Sequence, residues 1–429
     1  MSELFSIALE SLLYWWLVIP LILLVVLRDW WLVNIVDKHI DSIEWILLEI
    51  VIPKDNIKSA KAMEQVISAL HATYSFGIKK RDLYLKGVVE GWMSLEIAGF
   101  ADGVHLYIRT PKKHRTLVES AVLSYYPDAE LLEVQDYTER LKEKPFSDRD
   151  IFGSDFVTAK DNFFPIRTYE YFEDKDEERN LDPLATITEI MTTLEKNEAL
   201  WIQLLIRPTG DSWKDSAKDK IEEMLGNKKS GGSSTTVMKD LGDVVSNLPS
   251  AIFSPPAYNE GGGDKGGVEP NKKMGSPDQD VIKAIGNKMS KLAFESVLRI
   301  VYIDDKDEFT PENVTAMMGA LRQFGDQNLN ILVPNMATMT IPTPPLKFLN
   351  KAKRVARKKK NLILNYIERE MPRPVRRPRT DSRLETCILN TEEIATLFHP
   401  PMNVVKSQKL EAITSKKGIA PTDPPIKEI

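Results

Sequence analysis

The chain has 429 residues, 42% of them hydrophobic and 28% charged, with a formal net charge of -5 and a single cysteine. That length exceeds what one hydrophobic core holds, so two or three domains are expected, and the near balance of charge excludes a polyelectrolyte that binds nucleic acid or lipid by its bulk field. The lone Cys387 excludes an intrachain disulfide framework and a cysteine-based zinc cluster, which fits a reducing compartment, and five scattered histidines carry no metal-ligand spacing.

At the N-terminus, Leu12 to Leu27 reads LLYWWLVIPLILLVVL without a charge, and the apolar character reaches back to Phe5. About 20 such residues cross a hydrocarbon core, so a transmembrane anchor is expected over residues 1–33. Trp15 and Trp16 then sit at one interface and Arg28, Trp30 and Trp31 at the other, where amphipathic rings and snorkelling cations belong. Pro20 kinks the span without forbidding it. A cleavable signal peptide wants a basic start and a small-residue cleavage site, whereas this terminus carries Glu3 and Glu10 and continues into Arg28-Asp29-Trp30-Trp31. No Lys or Arg precedes the span while Arg28 and Lys38 follow it, which predicts a single-pass protein of the inner membrane, N-terminus outside and bulk cytoplasmic. Trp30 to Pro53 is broken by Asp37, Lys38, His39, Asp41 and Glu44, which predicts an interfacial helix leading into a strand.

Next come a strand at Trp45 to Ile52 and a helix over Ile57 to Tyr74. Strands Trp92 to Phe100 and Val104 to Arg109 flank Ala101-Asp102-Gly103, a hairpin signal because Gly103 tolerates positive φ. Pro111 opens a helix to about Tyr126, and Glu130 to Val134 alternates as a strand, so residues 34–150 read β-α-β-β-α-β. A second round over 151–345 starts with a strand at Phe164 to Phe172 and a Pro183-led helix to Lys196. Strand Ala199 to Arg207, helices Trp213 to Leu225 and Gln279 to Ala293, strand Val297 to Ile303, a Thr310-capped helix to Phe324 and strand Asn330 to Val333 follow. Set aside the interruption at 226–277 and the same order returns. The expected fold is α+β: a transmembrane helix, then two tandem ferredoxin-like (βαββαβ) domains, the second with a long disordered insertion.

That interruption carries GGSS, GGG and GG runs and too little apolar surface to offset chain ordering. GGGDKGG around Lys265 lacks the G-x-x-x-x-G-K-[ST] pattern and a feeding strand, so it reads as linker and not as a phosphate loop. Val237 to Phe253 keeps enough periodicity for a short docking helix.

From Lys347 to Arg383 fourteen Lys or Arg stand against Glu368, Glu370 and Asp381, a local balance of +11. Phe348 to Met371 is expected to be helical and Pro372, Pro374 and Pro378 to extend the following arm, making 346–383 a basic helix and Pro/Arg arm. The polyanion-binding candidates are Lys351, Lys353, Arg354, Arg357, Lys358, Lys359, Lys360, Arg373, Arg376, Arg377 and Arg379. Such a patch can release counterions from nucleic-acid phosphates or bind anionic lipid, and the null is a solvated face meeting an acidic protein neighbour. With Phe348 and Tyr366 the only stacking aromatics nearby, a nucleic acid would be held by its backbone. Residues 384–429 read as a short α/β segment and a flexible tail. No catalytic constellation, cofactor site or metal site emerges: G-x-S-x-G and H-E-x-x-H are both missing.

The succession WMSLEIAGFADGVHLYIRTPKKHRTLVESAVLSYYPDAELLEVQDYT, LRIVYIDDKDEFTPENVTAMMGALRQFGDQNLNIL and CILNTEEIATLFHPP resembles the N-terminal region of bacterial membrane-anchored, type IV secretion-like DNA-translocating ATPases of the HerA-FtsK superfamily, over most of residues 45–402. In that family the stretch resembling Leu389 to Pro401 lies just before a motor domain, whereas no residue here matches the ATP-binding lysine or its acidic partner. The resemblance implies a non-enzymatic accessory or scaffold subunit of a translocation assembly, partnered by a separate ATPase or by further copies of itself, with the membrane as its seat. A membrane scaffold that binds anionic lipid or protein with no role in DNA transfer is the alternative.

Overall fold

Strand patterning dictates a two-sided sheet here: in β2, β6 and β7 both alternating sets of positions are mostly apolar, with Glu96, Gln203 and Arg299 isolated among them, so neither face can lie bare. The computed structural model describes residues 15–53, 58–142, 148–173, 181–225, 276–306, 308–341, 351–373 and 384–402. Its strands are β1 (Trp45–Val51), β2 (Met93–Phe100), β3 (Gly103–Pro111), β4 (Glu130–Val134), β5 (Arg149–Thr158), β6 (Ala199–Pro208), β7 (Ala293–Asp305), β8 (Leu332–Pro334) and β9 (Cys387–Asn390). They form a single nine-stranded sheet in the order β4-β1-β3-β2-β6-β7-β5-β8, with β9 added to β7 beside β5. Every pairing is antiparallel. From the central β2–β6 pair outward, β2-β3-β1-β4 on one side is answered by β6-β7-β5-β8 on the other. The joint between the halves runs in unbroken register from Met93↔Ile206 to Phe100↔Ala199.

The helices are α1 (Trp15–Asp41), α2 (Ala60–Leu70), α3 (Lys80–Lys86), α4 (Arg115–Tyr125), α5 (Ala185–Thr192), α6 (Lys214–Met224), α7 (Ser276–Ser290), α8 (Pro311–Leu321), α9 (Lys351–Ile367) and α10 (Thr391–Leu397). Apolar stripes of α2, α4, α5, α8 and α10 cover the first face, where Met63, Val66, Val122, Met191, Phe324 and Ile394 meet Leu95, Ile202 and Leu298. On the second face, Leu362, Ile363 and Tyr366 from the end of α9 join Phe100, Tyr107, Tyr137, Trp201 and Val301. Gly153 of β5 is required there, since a Cβ would lie 2.5 Å from Leu362 Cδ2 and from the Ile300 carbonyl oxygen. α6 and α7 pack on each other through Ile221, Ile282 and Ile285.

Three expectations change. The span and the interfacial helix expected from Trp30 are one element: α1 runs continuously to Asp41, with Leu32 and Val36 buried against the body and Asp37 paired with Arg373, and it then leads into β1. The strand expected at Phe164 to Phe172 is irregular chain with a 3-10 turn at Tyr169–Tyr171, and the second round opens instead at β5. The polar residues of β5 hid it, yet Asp155 is buried and bonded to Arg299 within the second face, and Ser154, on the opposite side of the strand, is buried and donates to the Asp155 carbonyl. Residues 163–172 serve as a plug, the Ile166 and Tyr169 amides donating to Glu393 and Thr396 of α10. Third, the segment after the basic arm belongs to the core: β9 pairs with β7 from Ala293↔Asn390 to Ser296↔Cys387, and every residue of α10 is buried behind an Asn390/Glu393 capping box. The proposed insertion up to Gly275, the docking helix at 237–253 and the tail from 403 onward lie outside the described residues.

Candidate functional site

A helix that must face lipid needs apolar side chains all round, whereas one that docks on protein needs a single buried stripe; α1 has both in succession. Leu21 to Leu27 are 49–63% exposed and stand clear of the body. Within Ile19–Asp41 an 18-residue window has a mean hydropathy of 1.9, and this is the one helix among the described residues long and apolar enough to cross a membrane. Arg28 pairs with neighbouring Asp29 at 2.7 Å, and Trp30 and Trp31 are exposed at the level where the apolar stretch ends. Trp15 and Trp16 fall in the first turn of α1, their side chains outside the described residues.

Below the tryptophans α1 is socketed. The Trp31 indole Nε1 donates to the Tyr84 carbonyl at 3.0 Å. Gly87, the left-handed C-cap of α3 at φ +67°, abuts the helix so closely that a Cβ would sit 2.2 Å from the Ile35 carbonyl oxygen. Ile40 joins Trp92, Leu205, Val297 and Met371 in a small apolar cluster, so the foot of α1 rests on the end of the sheet where β1, β2 and β7 begin.

The basic segment divides into two parts with different duties. On α9, Lys353, Arg357 and Lys360 are exposed and follow helical spacing, and Arg354 is half-buried. Lys358 instead donates to the carbonyls of Met336 and Met339 at 3.0 Å, and Lys359 pairs with Asp150. The Lys351 side chain and all of Arg376, Arg377 and Arg379 lie outside the described residues. Arg373, expected among the polyanion contacts, is corrected: its guanidinium is 9% exposed and held by Asp37 of α1 and, at 3.0 Å, by Glu370. Its charge is spent on locking α1 to the body.

Between α9 and Arg373 the chain passes over a polar belt that sequence reasoning missed. Glu96, Gln203, Arg299 and Asp155 occupy one register line across β2, β6, β7 and β5. Arg299 reaches Asp155 Oδ1 at 2.7 Å and Gln203 Oε1 at 2.8 Å, while Gln203 Nε2 donates to Glu96 Oε1 at 3.1 Å. Arg369, with a left-handed backbone at φ +51°, inserts from above, its Nε 2.9 Å from Glu96 Oε1 and its Nη2 3.0 Å from Asp136 Oδ1. Tyr137 donates to Glu96 Oε2 at 2.7 Å and meets the Tyr366 hydroxyl at 2.6 Å. Burial alone would push the Glu96 carboxyl up, but the fully buried Arg369 guanidinium overrides it and holds the group below its ordinary value of 4.5. Burial raises and Arg369 likewise lowers Asp136, with a net downward shift. The signal for this belt was in the strands, as isolated charges inside MSLEIAGF and SVLRIVYI, but nothing local said which distant residues they meet.

A second buried set ties down the C-terminal segment. Lys288 contacts Glu393 at 3.0 Å with both side chains fully buried, and His399 places Nδ1 2.8 Å from the Ala395 carbonyl and Nε2 3.0 Å from Asp182 Oδ1. Burial pushes Glu393 above its ordinary value in spite of Lys288, and drives the Cys387 thiol up to about 12, so that thiol is an inert packing group. Two grooves remain. One of about 330 Å³ is lined by Phe100, Arg140, Arg149, Glu198 and Trp201, whose indole N–H lacks a hydrogen-bond partner among the described residues. One of about 600 Å³ is lined by Glu170, Asp280, Lys283, Asp326 and Glu392. Both mix charges of opposite sign, and among the described residues no group of three or more His, Cys, Asp or Glu is placed to hold a metal ion.

No curated protein matches the chain. A family profile matches from the foot of α1 to beyond α10, taking in the whole sheet, the polar belt and the buried C-terminal segment. The chain belongs to the family described as a domain of unknown function (DUF8128), which spans its residues 40–409.

Proposed function

We propose that the chain is a non-enzymatic, membrane-tethered accessory or scaffold subunit of a type IV secretion-like or DNA-translocation assembly, working beside a separate ATPase. The observation that carries the membrane half of this reading is α1: its apolar stretch stands clear of the body while its foot is locked by Gly87, Trp31 and the Arg373–Asp37 pair. A rigid socket of that kind transmits the orientation of a bilayer span to the sheet, which a floppy tether would not. The matched strand orders β4-β1-β3-β2 and β8-β5-β7-β6 support a reading as two tandem ferredoxin-like units fused through their second strands. Orientation is read from the charges: Arg28 and Lys38 after the span favour a body on the cytoplasmic side of the inner membrane. The DNA-translocation half rests on the resemblance in residues 45–402 and on the exposed cations of α9, which suit a polymer backbone or an acidic partner.

The test is co-expression of the full chain with a candidate phosphate-loop ATPase of the translocation class, followed by purification in detergent. A stable complex, with ATP turnover confined to the partner, is the expected result. ATP binding or hydrolysis by the purified chain alone would overturn the non-enzymatic reading. Recovery of the intact chain as a soluble monomer without detergent would overturn the tether.

A further inference from the structure

The 75–86 segment, Ser75-Phe76-Gly77-Ile78-Lys79-Lys80-Arg81-Asp82-Leu83-Tyr84-Leu85-Lys86, interleaves aromatic and aliphatic residues with four cations. Phe76 is 89% exposed, more than any other large hydrophobic residue described, and Leu85 is 61% exposed. Lys79, Lys80, Arg81 and Lys86 are all exposed, against Asp82 as the lone acid of the segment, which lies 3.7 Å from Lys86. An isolated exposed phenylalanine needs no explanation, but one placed on a turn beside four cations and against a membrane-length helix has the composition of an interfacial element.

Its position follows from two contacts. Gly87 lies against Ile35 and Val36 of α1, and the Tyr84 carbonyl accepts from Trp31, one turn nearer the apolar stretch. α3 therefore runs parallel to α1, and its Lys80 end points toward the level of Arg28 and the lipid-length residues above it. The preceding turn is fixed to the same end of the sheet: the Ser75 amide donates to Glu90 Oε1 at 2.9 Å, and the Tyr74 hydroxyl lies 2.8 Å from where a Cβ on Gly210, just past the end of β6, would stand. Gly77, at φ +93°, takes the left-handed region freely, while Phe76 itself is held there at φ +57°. The turn is thus a rigid projection and not a loose loop.

We infer that residues 75–86 form a second, interfacial membrane contact beside α1, with Phe76 and Leu85 entering the headgroup–acyl boundary and Lys79, Lys80, Arg81 and Lys86 meeting the phosphates of anionic phospholipid. The inference rests on reading α1 as a bilayer span. Continuity with that span and the sign of the four charges select an anionic lipid surface as the occupant. Such a contact fixes the tilt and rotation of the body, because two points on the bilayer remove the freedom to swivel that one helix leaves.

The full chain, labelled with an environment-sensitive fluorophore at Phe76→Cys, at Ile22→Cys or at the distant exposed Leu181→Cys, is reconstituted in bilayers with and without phosphatidylglycerol. Cys387 is buried, so each label reports its own site. Expected is a blue shift at position 76 that grows with anionic lipid, quenching there by spin labels near the headgroup more than near the chain ends, deep quenching at 22, and a water-like spectrum at 181. Replacing Lys79, Lys80, Arg81 and Lys86 by Gln should abolish the lipid-charge dependence at 76 while leaving position 22 deep. A water-like label at 76 beside a deep label at 22 overturns the inference and leaves the anchor standing. Water-like labels at both overturn the anchor, and the inference with it.

Discussion

At the scale of single residues, the most consequential side chain is Arg369, fully buried on the second face and neutralised by Glu96 and Asp136. A buried ion pair is weak evidence for net stability, but removing one partner leaves a charge stranded in a low-dielectric interior. Glu96→Gln should therefore cost about 3–5 kcal/mol at pH 7, read by thermal unfolding in detergent. The pH dependence has a definite sign. Glu96 is held below its ordinary value of 4.5, so its contribution is fully present above that pH and is lost as pH falls through the lower folded value. The gap between wild type and Glu96→Gln should accordingly narrow only as pH falls below the ordinary glutamate range; a constant gap down to acid unfolding would show that the pair is not the source.

At the scale of elements, the 346–383 segment looked like one uniform basic patch, and its tertiary partners split it. Arg373→Ala should destabilise the junction between α1 and the body by about 1–3 kcal/mol, the range between a screened and a fully buried pair. Proteolysis at the Asp41–Trp45 turn should rise, while polyanion affinity keeps its salt dependence. Replacing exposed Lys353, Arg357 and Lys360 by Gln should do the reverse, flattening the log–log salt slope by roughly one unit per lost phosphate contact and sparing the melting temperature. Titration of a duplex DNA across a salt series decides between the two, and a flattened slope for Arg373→Ala alone would reinstate it as a polyanion contact. The foot of α1 teaches the same point: Asp37 and Lys38 read as breakers of an apolar run, yet a helix whose charges are paired or exposed on one side continues unbroken.

At the scale of the whole molecule, distant segments complete one another. β9 pairs with β7 between residues 91 to 97 positions apart, Lys288 of α7 meets Glu393 of α10 across 105, and Ile394, Leu389 and Phe398 are buried in the same core as the first-half residues Met63, Val66 and Leu70. Ile394→Ala should cost about 2–5 kcal/mol by opening a cavity between α10 and α2, with loss of cooperativity across the whole sheet in a calorimetric scan. Melting of the second half alone would instead mean that the halves are independent. Some of this was legible in the residues themselves. The membrane-length helix, the first β-α-β-β-α-β round, the helices following Pro183 and Thr310 and the strand-helix step at 387–397 all announce themselves by apolar period and by cap or turn chemistry, signals that act over a few neighbours. What only the folded structure decided is long-range: the register that lines up Glu96, Gln203, Arg299 and Asp155, the fusion of two strand sets through β2 and β6, the assignment of β5 in place of 164–172, and the capture of Arg373 by Asp37. Period and propensity depend on side chains within a turn or two, whereas the partner of a buried charge is set by packing between residues up to hundreds of positions apart, and that information is absent from any local window of the chain.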